Sequence, residues 1–351
     1  LDMKAQGSTS DRRFFARNGE LLYMMLCFAQ KRDQLAELLR KHLFDANNDL
    51  DAICEILSFG RDDRHQVSNV TGEGCILPID FFEESRRRIN ILCEDLIRVF
   101  ELPIPAPDII KHAAQLISLN LLCYFLEQSQ AVLKRYPSED RINLPCVFLC
   151  EVLQKPMSDI RRASIRLYEI NKERSLNAVE AYYNHFKKKS ASDDLPTDRN
   201  DDREALFEDF DTSEQPGNDS LKEILETHRG HWGSSLHRYL AKDCGLATNL
   251  CTKSDRYAPS DELIETLAAV IVPVERKRLL LSEFLRIAYE RYGLIFGEHE
   301  FQKANIIDSA LVLNTDEFQA NRSRLRNKFR SLGLLVALSD GFEFVLNPYQ
   351  A

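Results

Sequence analysis

Residues 318–332 combine the side-chain types that bind nucleic acid, at helical spacing and without an acid among them. The candidate contacts are Arg322, Ser323, Arg324, Arg326, Asn327, Lys328 and Arg330. At 100° per residue, the basic side chains form two rows, and Ser323 and Asn327 lie between those rows. The opposite side predicts a buried face of Phe318, Leu325, Phe329 and Leu332. Cationic groups hold phosphates, whereas short polar side chains reach base edges in the major groove. The pattern predicts a DNA-recognition helix. A solvated amphipathic helix, or one that docks on an acidic protein surface, is the alternative.

Local signals define where this basic helix begins and ends. Asn314 and the acids that follow it indicate a helix start, and Gly333 suits a left-handed C-terminal cap. Two apolar runs, 334–338 and 342–346, flank Ser339-Asp340-Gly341, which predicts a hairpin. With helices expected from Val274 to Gly293 and from Gly297 to Leu313, this order predicts a winged helix-turn-helix at about 275–348. Its wing tip has no Lys or Arg, so we expect it to contribute little to DNA binding.

A second group of residues has the ligand types of a zinc site. It comprises His228, His231, His237, Cys244 and Cys251. The first two histidines are three residues apart and can share a helical face, but the later spacings match no compact zinc motif. Trp232 and Leu236 between them favour packing. We therefore predict structural histidines and no bound metal, with zinc as the alternative.

No stretch of the chain has the pattern of a known catalytic site. The phosphate-binding loop, the Gly-x-Ser-x-Gly elbow, the His-Glu-x-x-His pair and the Cys-x-x-Cys pair are all missing from the sequence. Asp62-Asp63-Arg64-His65 could hold a metal, but such a run is typical of a solvated turn. The basic run Arg86-Arg87-Arg88 is expected to face mainly outward from a helix. We predict a protein with no catalytic residues and no cofactor.

Composition predicts a mainly α, all-helical fold of two domains. The 351 residues carry a net charge of −9, and residues 191–220 alone hold eleven acids and two arginines, so the acidity is local. That segment predicts an acidic disordered linker at 190–220, between an N-terminal helical domain at 11–189 and a C-terminal helical domain at 221–351. Nine scattered cysteines indicate free thiols in the cytoplasm. The apolar run 113–126 is too short for a membrane span and predicts a buried helix.

Two stretches of the chain are residues 17–26, RNGELLYMML, and residues 283–297, EFLRIAYERYGLIFG. They resemble accessory subunits of bacterial anti-phage and DNA-restriction systems, of the kind that assist phosphorothioation-dependent restriction. The resemblance implies a non-catalytic partner of a larger ATPase or nuclease subunit that acts on DNA. A protein-assembly scaffold whose winged helix docks such a partner, a transcriptional regulator, and an enzyme with an unrecognised site remain the alternatives.

Overall fold

The computed structural model describes residues 19, 21–43, 79–136, 144–190, 233–250, 254–306, 313–339 and 341–349. It is 66% helical and 8% strand, so the prediction of a mainly α fold is confirmed. Asp62–His65 and residues 191–220 lie outside the described residues, so the turn and the acidic linker stay predictions.

The described residues of the first part of the chain contain four helices after a short helical segment at 21–28. They are α1 (Arg32–Leu43), α2 (Ile79–Phe100), α3 (Ala106–Arg135) and α4 (Asp159–Ser190). Helix α3 lies between α2 and α4. By length and composition α3 is also apolar enough to cross a membrane, and 61% of its apolar window is buried inside the protein. A central core helix meets the same criterion, which agrees with the burial expected for 113–126.

Five helices follow in the described residues from 233 onward. They are α5 (Gly233–Asp243), α6 (Asp261–Ile271), α7 (Leu281–Tyr292), α8 (Glu298–Ala304) and α9 (Thr315–Ser331). Ser260 caps α6 by accepting a hydrogen bond from the Leu263 amide at 3.1 Å. Gly293 ends α7 with φ +74°, and a Cβ there would lie 2.7 Å from the Cys146 carbonyl oxygen. Glycine is therefore required where α7 meets the first part of the chain.

Short strands join the helices into one architecture. β1 (Phe148–Leu149) pairs in parallel with β5 (Leu294–Ile295). β2 (Ala247–Thr248) pairs antiparallel with β3 (Arg256–Tyr257). β4 (Arg278–Leu280), β6 (Leu335–Ala337) and β7 (Glu343–Leu346) form an antiparallel sheet in the order β4-β7-β6.

Two helix boundaries predicted from the sequence are wrong. The expected helix from Val274 begins only at Leu281, because residues 278–280 pair with β7 instead. Lys277 before that strand has φ +60°, a left-handed conformation that interrupts a helix. The helix expected over 297–313 ends at Ala304, since Asn305 takes the left-handed C-cap conformation at φ 48°.

One apolar core extends across both parts of the described chain. Phe148 and Leu149 from the first part, and Leu294 and Ile295 from the second, are at most 1% exposed and belong to the same cluster. The described parts of the two predicted domains therefore share a core, while the predicted domain boundaries themselves fall in or beside undescribed segments and stay predictions.

A polar network also joins the two parts, and it includes a residue expected to face outward. Arg88 of α2 is 4% exposed, and its guanidinium donates to the Arg291 carbonyl at 2.8 Å and pairs with Glu127 at 2.5 Å. Asp95 accepts hydrogen bonds from Arg291 at 2.6 Å and from the Tyr292 hydroxyl at 2.9 Å. The expectation of an outward-facing Arg86–Arg88 run is therefore wrong for Arg88, because it caps the C-terminal end of α7.

Candidate nucleic-acid interface

Helix α9 begins and ends where its sequence predicts. The Asn314 side chain caps it by accepting a hydrogen bond from the Asp316 amide at 3.0 Å. At the other end Gly333 has φ +71° and donates to the Arg330 carbonyl at 3.0 Å, and Leu334 donates to Phe329 at 2.8 Å. These two bonds make a Schellman cap. The hairpin follows, with Gly341 at φ +84° in the loop between β6 and β7.

One face of α9 is fixed in the core by a residue the sequence reasoning missed. Phe318, Leu325 and Phe329 are at most 3% exposed, as predicted from their spacing, and Asn321 beside them is fully buried. The Asn321 amide makes four hydrogen bonds, all to backbone. It accepts from the amides of Val152 and Leu153 at 2.8 and 3.0 Å.

The same side chain donates to two carbonyl oxygens, those of Cys150 at 3.1 Å and Phe296 at 2.9 Å. Every hydrogen-bonding position of this amide is thus satisfied inside the protein. Asn321 holds α9 to the loops after β1 and β5 and fixes the rotation of the helix about its axis. Its position on the apolar stripe of the helical wheel was the only sequence signal for this role.

The predicted DNA-contacting residues lie on the remaining faces of α9. Arg322, Ser323, Arg324, Asn327 and Arg330 are exposed, while Arg326 and Lys328 are partly buried. The structure therefore brings all seven onto one helix with its polar ridge accessible.

Acids of the same chain neutralise one part of this set. The Arg326 guanidinium donates to Glu343 on β7 at 2.6 Å, and Arg330 lies 3.6 Å from the same carboxylate. Lys328 is 2.9 Å from Asp261 and donates to the Pro259 carbonyl at 2.6 Å. These contacts hold α9 to the sheet on one flank and to the start of α6 on the other.

Arg322 and Arg324 differ from the other three cations. Among the residues that the structure describes, neither has an acid within ion-pair distance. Their guanidinium groups are therefore available to an external anion without displacing an existing partner, whereas the paired cations must first exchange one.

The N-terminal end of α9 has the opposite charge. A groove of about 610 Å³ separates α7, the start of α8 and the first turns of α9, and Glu283, Glu298 and Glu300 line it together with Arg322. Asp316 and Glu317 add acids in the first turn of α9. This end of α9 therefore attracts a polyanion less than the rest of the helix does, although Arg286 and Arg322 also line the groove.

The two described members of the candidate zinc group have other partners. His237 is buried, its Nε2 lies 3.0 Å from the Tyr257 hydroxyl, and burial lowers its pKa to about 3. The Cys244 thiol donates to the Ala241 carbonyl at 3.5 Å, and burial raises its pKa to about 12. No three potential ligands meet within the described part of the chain. His228, His231 and Cys251 lie outside it.

Comparison of the chain with family models, with curated proteins and with solved structures gives no match. The argument about function therefore depends on the geometry of α9 and its surroundings.

Proposed function

We propose that this chain binds duplex DNA through the exposed ridge of α9 and acts as a non-catalytic accessory component of a bacterial defence or restriction complex. The observation that carries the proposal is the arrangement around α9. One face is locked by Asn321, while Arg322 and Arg324 extend from the accessible faces with no acid within ion-pair distance among the described residues. Ser323 and Asn327 lie between the cations, where base edges would be reached.

The order of elements supports a winged helix as the unit that presents α9. The elements come in the chain order α6, β4, α7, α9, β6 and β7. The three strands form a sheet in the order β4-β7-β6. In a winged helix, the helix before the hairpin enters the major groove. Helix α8 is inserted between α7 and α9 in this arrangement. The resemblance of residues 17–26 and 283–297 to restriction accessory subunits supports a larger ATPase or nuclease subunit as partner and a cytoplasmic location.

The test is duplex-DNA binding at two salt concentrations. Binding is measured by fluorescence anisotropy of a labelled duplex, for the full chain and for the variant Arg322→Ala/Arg324→Ala. The control variant is Arg40→Ala/Lys41→Ala, which removes the same charge from the exposed surface of α1. Loss of two phosphate contacts is expected to weaken binding by about tenfold at low salt and to reduce the slope of log affinity against log salt by about 2. The control should keep both values close to wild type.

A protein-assembly scaffold is the second candidate, and the ion pairs of α9 favour it. Three of the five cations already have partners in Glu343 and Asp261, so less positive charge is available to phosphates than the sequence implies. Absence of DNA binding by the full chain at low salt would overturn the DNA proposal and favour this alternative. The chain could also be a transcriptional regulator that uses the same helix. Preferential binding to one DNA sequence would favour that alternative.

A further inference from the structure

The β4-β7-β6 sheet has a second face, directed away from the core. Leu279 and Val345, paired in register, are at most 5% exposed and point inward. Since side chains alternate along a strand, their neighbours point outward. We call this the outer face, and it consists of Arg278, Leu280, Val336, Leu338, Phe342, Phe344 and Leu346.

Six of those seven residues are apolar, which breaks the alternation expected of a half-buried sheet. Val336, Leu338 and Phe342 are 38%, 39% and 56% exposed. Leu280, Phe344 and Leu346 beside them are partly buried. Val336, Phe344 and Leu280 lie in one row across the three strands. A contiguous apolar patch of this kind marks a binding surface.

A basic rim lies along one edge of the outer face. Arg276, Lys277 and Arg278 are exposed in the turn and first strand position, with Glu275 as the single acid among them. The Arg278 guanidinium lies 4.8 Å from the centre of the Phe344 ring. Within the described residues the outer face itself holds no acid, so a complementary surface would combine apolar side chains with carboxylates.

This face is separate from the ridge of α9. Glu343 alternates with Phe342 and Phe344 along β7, so its carboxylate points to the inner side of the sheet, where it pairs with Arg326. A ligand on the outer face would therefore leave the cations of α9 accessible.

We propose that the outer face docks an acidic amphipathic helix of a partner protein. Three strands span about 10 Å, which fits about two turns of a helix. Apolar side chains at positions i, i+3 or i+4, and i+7 would cover Val336, Leu338 and Phe342. Carboxylates on the flank of that helix would meet Arg276 and Arg278. A second copy of the chain suits this face less, because two basic rims would then approach each other.

The test uses a fluorescein-labelled designed peptide of about 14 residues, roughly four turns of helix, with leucines at that spacing and glutamates elsewhere. There are two control peptides. One has the same composition in scrambled order, and the other has the same order with lysine in place of each glutamate. The full chain is expected to bind the acidic peptide and neither control. Leu338→Ser/Phe342→Ser should weaken binding by about tenfold or more, because truncated central contacts dominate such interfaces.

A charge exchange keeps the proposal testable if the serine variant does not fold. Arg276→Glu/Arg278→Glu should weaken binding of the acidic peptide and create binding of the lysine peptide. Equal binding of the scrambled peptide, or an unchanged affinity in both variants, would overturn the proposal.

Two further results would overturn the proposal of a partner helix, because each would show that something else occupies the outer face. If the acidic peptide binds only after deletion of residues 191–220, that segment of the same chain occupies the outer face. If the full chain is a dimer that Leu338→Ser/Phe342→Ser dissociates, a second copy occupies it. DNA binding by Leu338→Ser/Phe342→Ser, which keeps the net charge, is measured in parallel and separates a failure of the outer face from a failure of the DNA proposal.

Discussion

Two basic runs of similar composition have opposite fates in this molecule. Arg88 of α2 is buried and caps the last carbonyls of α7, whereas Arg322 and Arg324 of α9 remain exposed. Both runs lie on amphipathic helices, so charge and periodicity do not distinguish them. The difference is what the rest of the fold brings near each guanidinium: Glu127 and a helix C-terminus pair with Arg88, whereas Arg322 lines an open groove and makes no ion pair among the described residues. The burial of a basic residue thus depends on its non-local neighbours.

The largest effect on stability is expected when the buried Arg88 is replaced. Arg88→Met should lower the free energy of unfolding by about 3–5 kcal/mol, since it leaves Glu127 and the Arg291 carbonyl without their partner. Urea unfolding followed by circular dichroism measures the loss. Arg86→Met, on the exposed side of the same helix turn, is the matched control and should cost less than about 1 kcal/mol. Equal losses in the two variants would contradict the comparison.

A second prediction applies the same contrast within α9. Asn321→Leu should destabilise the protein by about 3 kcal/mol, because four buried backbone groups lose their hydrogen bonds. Asn327→Leu, on the exposed ridge, should change the free energy of unfolding by less than about 0.5 kcal/mol. Under the DNA proposal, Asn327→Leu should instead alter the preference among duplex sequences. If both variants unfold alike, Asn321 does not fix α9 as described.

A third prediction concerns pH. The pKa of His237 is about 3 in the folded protein, below its ordinary value near 6.5, because burial disfavours the charged ring. The unfolded chain therefore binds a proton that the folded chain does not between these values. Stability from this group is fully present above pH 6.5 and falls by about 2 kcal/mol on going from pH 8 to pH 5. Urea unfolding at several pH values should show that His237→Gln has a correspondingly smaller loss.

The smallest effect on stability is expected for the paired cations of α9. Arg326→Ala/Lys328→Ala should lower the free energy of unfolding by about 1 kcal/mol, because both ion pairs are only partly buried. It should weaken DNA binding less than Arg322→Ala/Arg324→Ala does. A larger loss of DNA affinity in the paired variant, measured by the same anisotropy titration, would show that these cations exchange Glu343 and Asp261 for phosphate.

The features predicted correctly from sequence are those with local causes. Asn314 caps α9, Gly333 ends it, and the run 334–346 turns back as a hairpin, each through contacts within a few residues. The candidate site was predictable in part, since the exposure of Ser323 and Asn327 follows from the helical wheel, whereas that of Arg322, which lies beside the apolar stripe, does not. Burial of Phe318, Leu325 and Phe329 followed from the same spacing.

The features that the sequence did not reveal depend on distant partners. Residues 278–280 form a strand because β7 lies beside them, although their own pattern fits a helix. Glu343 and Asp261 neutralise α9 across 17 and 67 positions of the chain, and Asn321 binds loops that lie elsewhere in the sequence. Arg88 was misjudged for the same reason, because the end of α7 that it caps is about 200 residues away.

The parallel pair of β1 with β5 has a consequence for how this protein is made. Phe148 leaves the ribosome about 150 residues before Leu294, the strand residue opposite it. At roughly 5–20 residues per second, the first strand waits for about 7–30 s before its partner exists. During that interval α2, α3 and α4 can already pack on one another, but the edge of β1 that pairs with β5 has no partner. The core closes only when synthesis has passed β5, so folding of the first part is completed by the last.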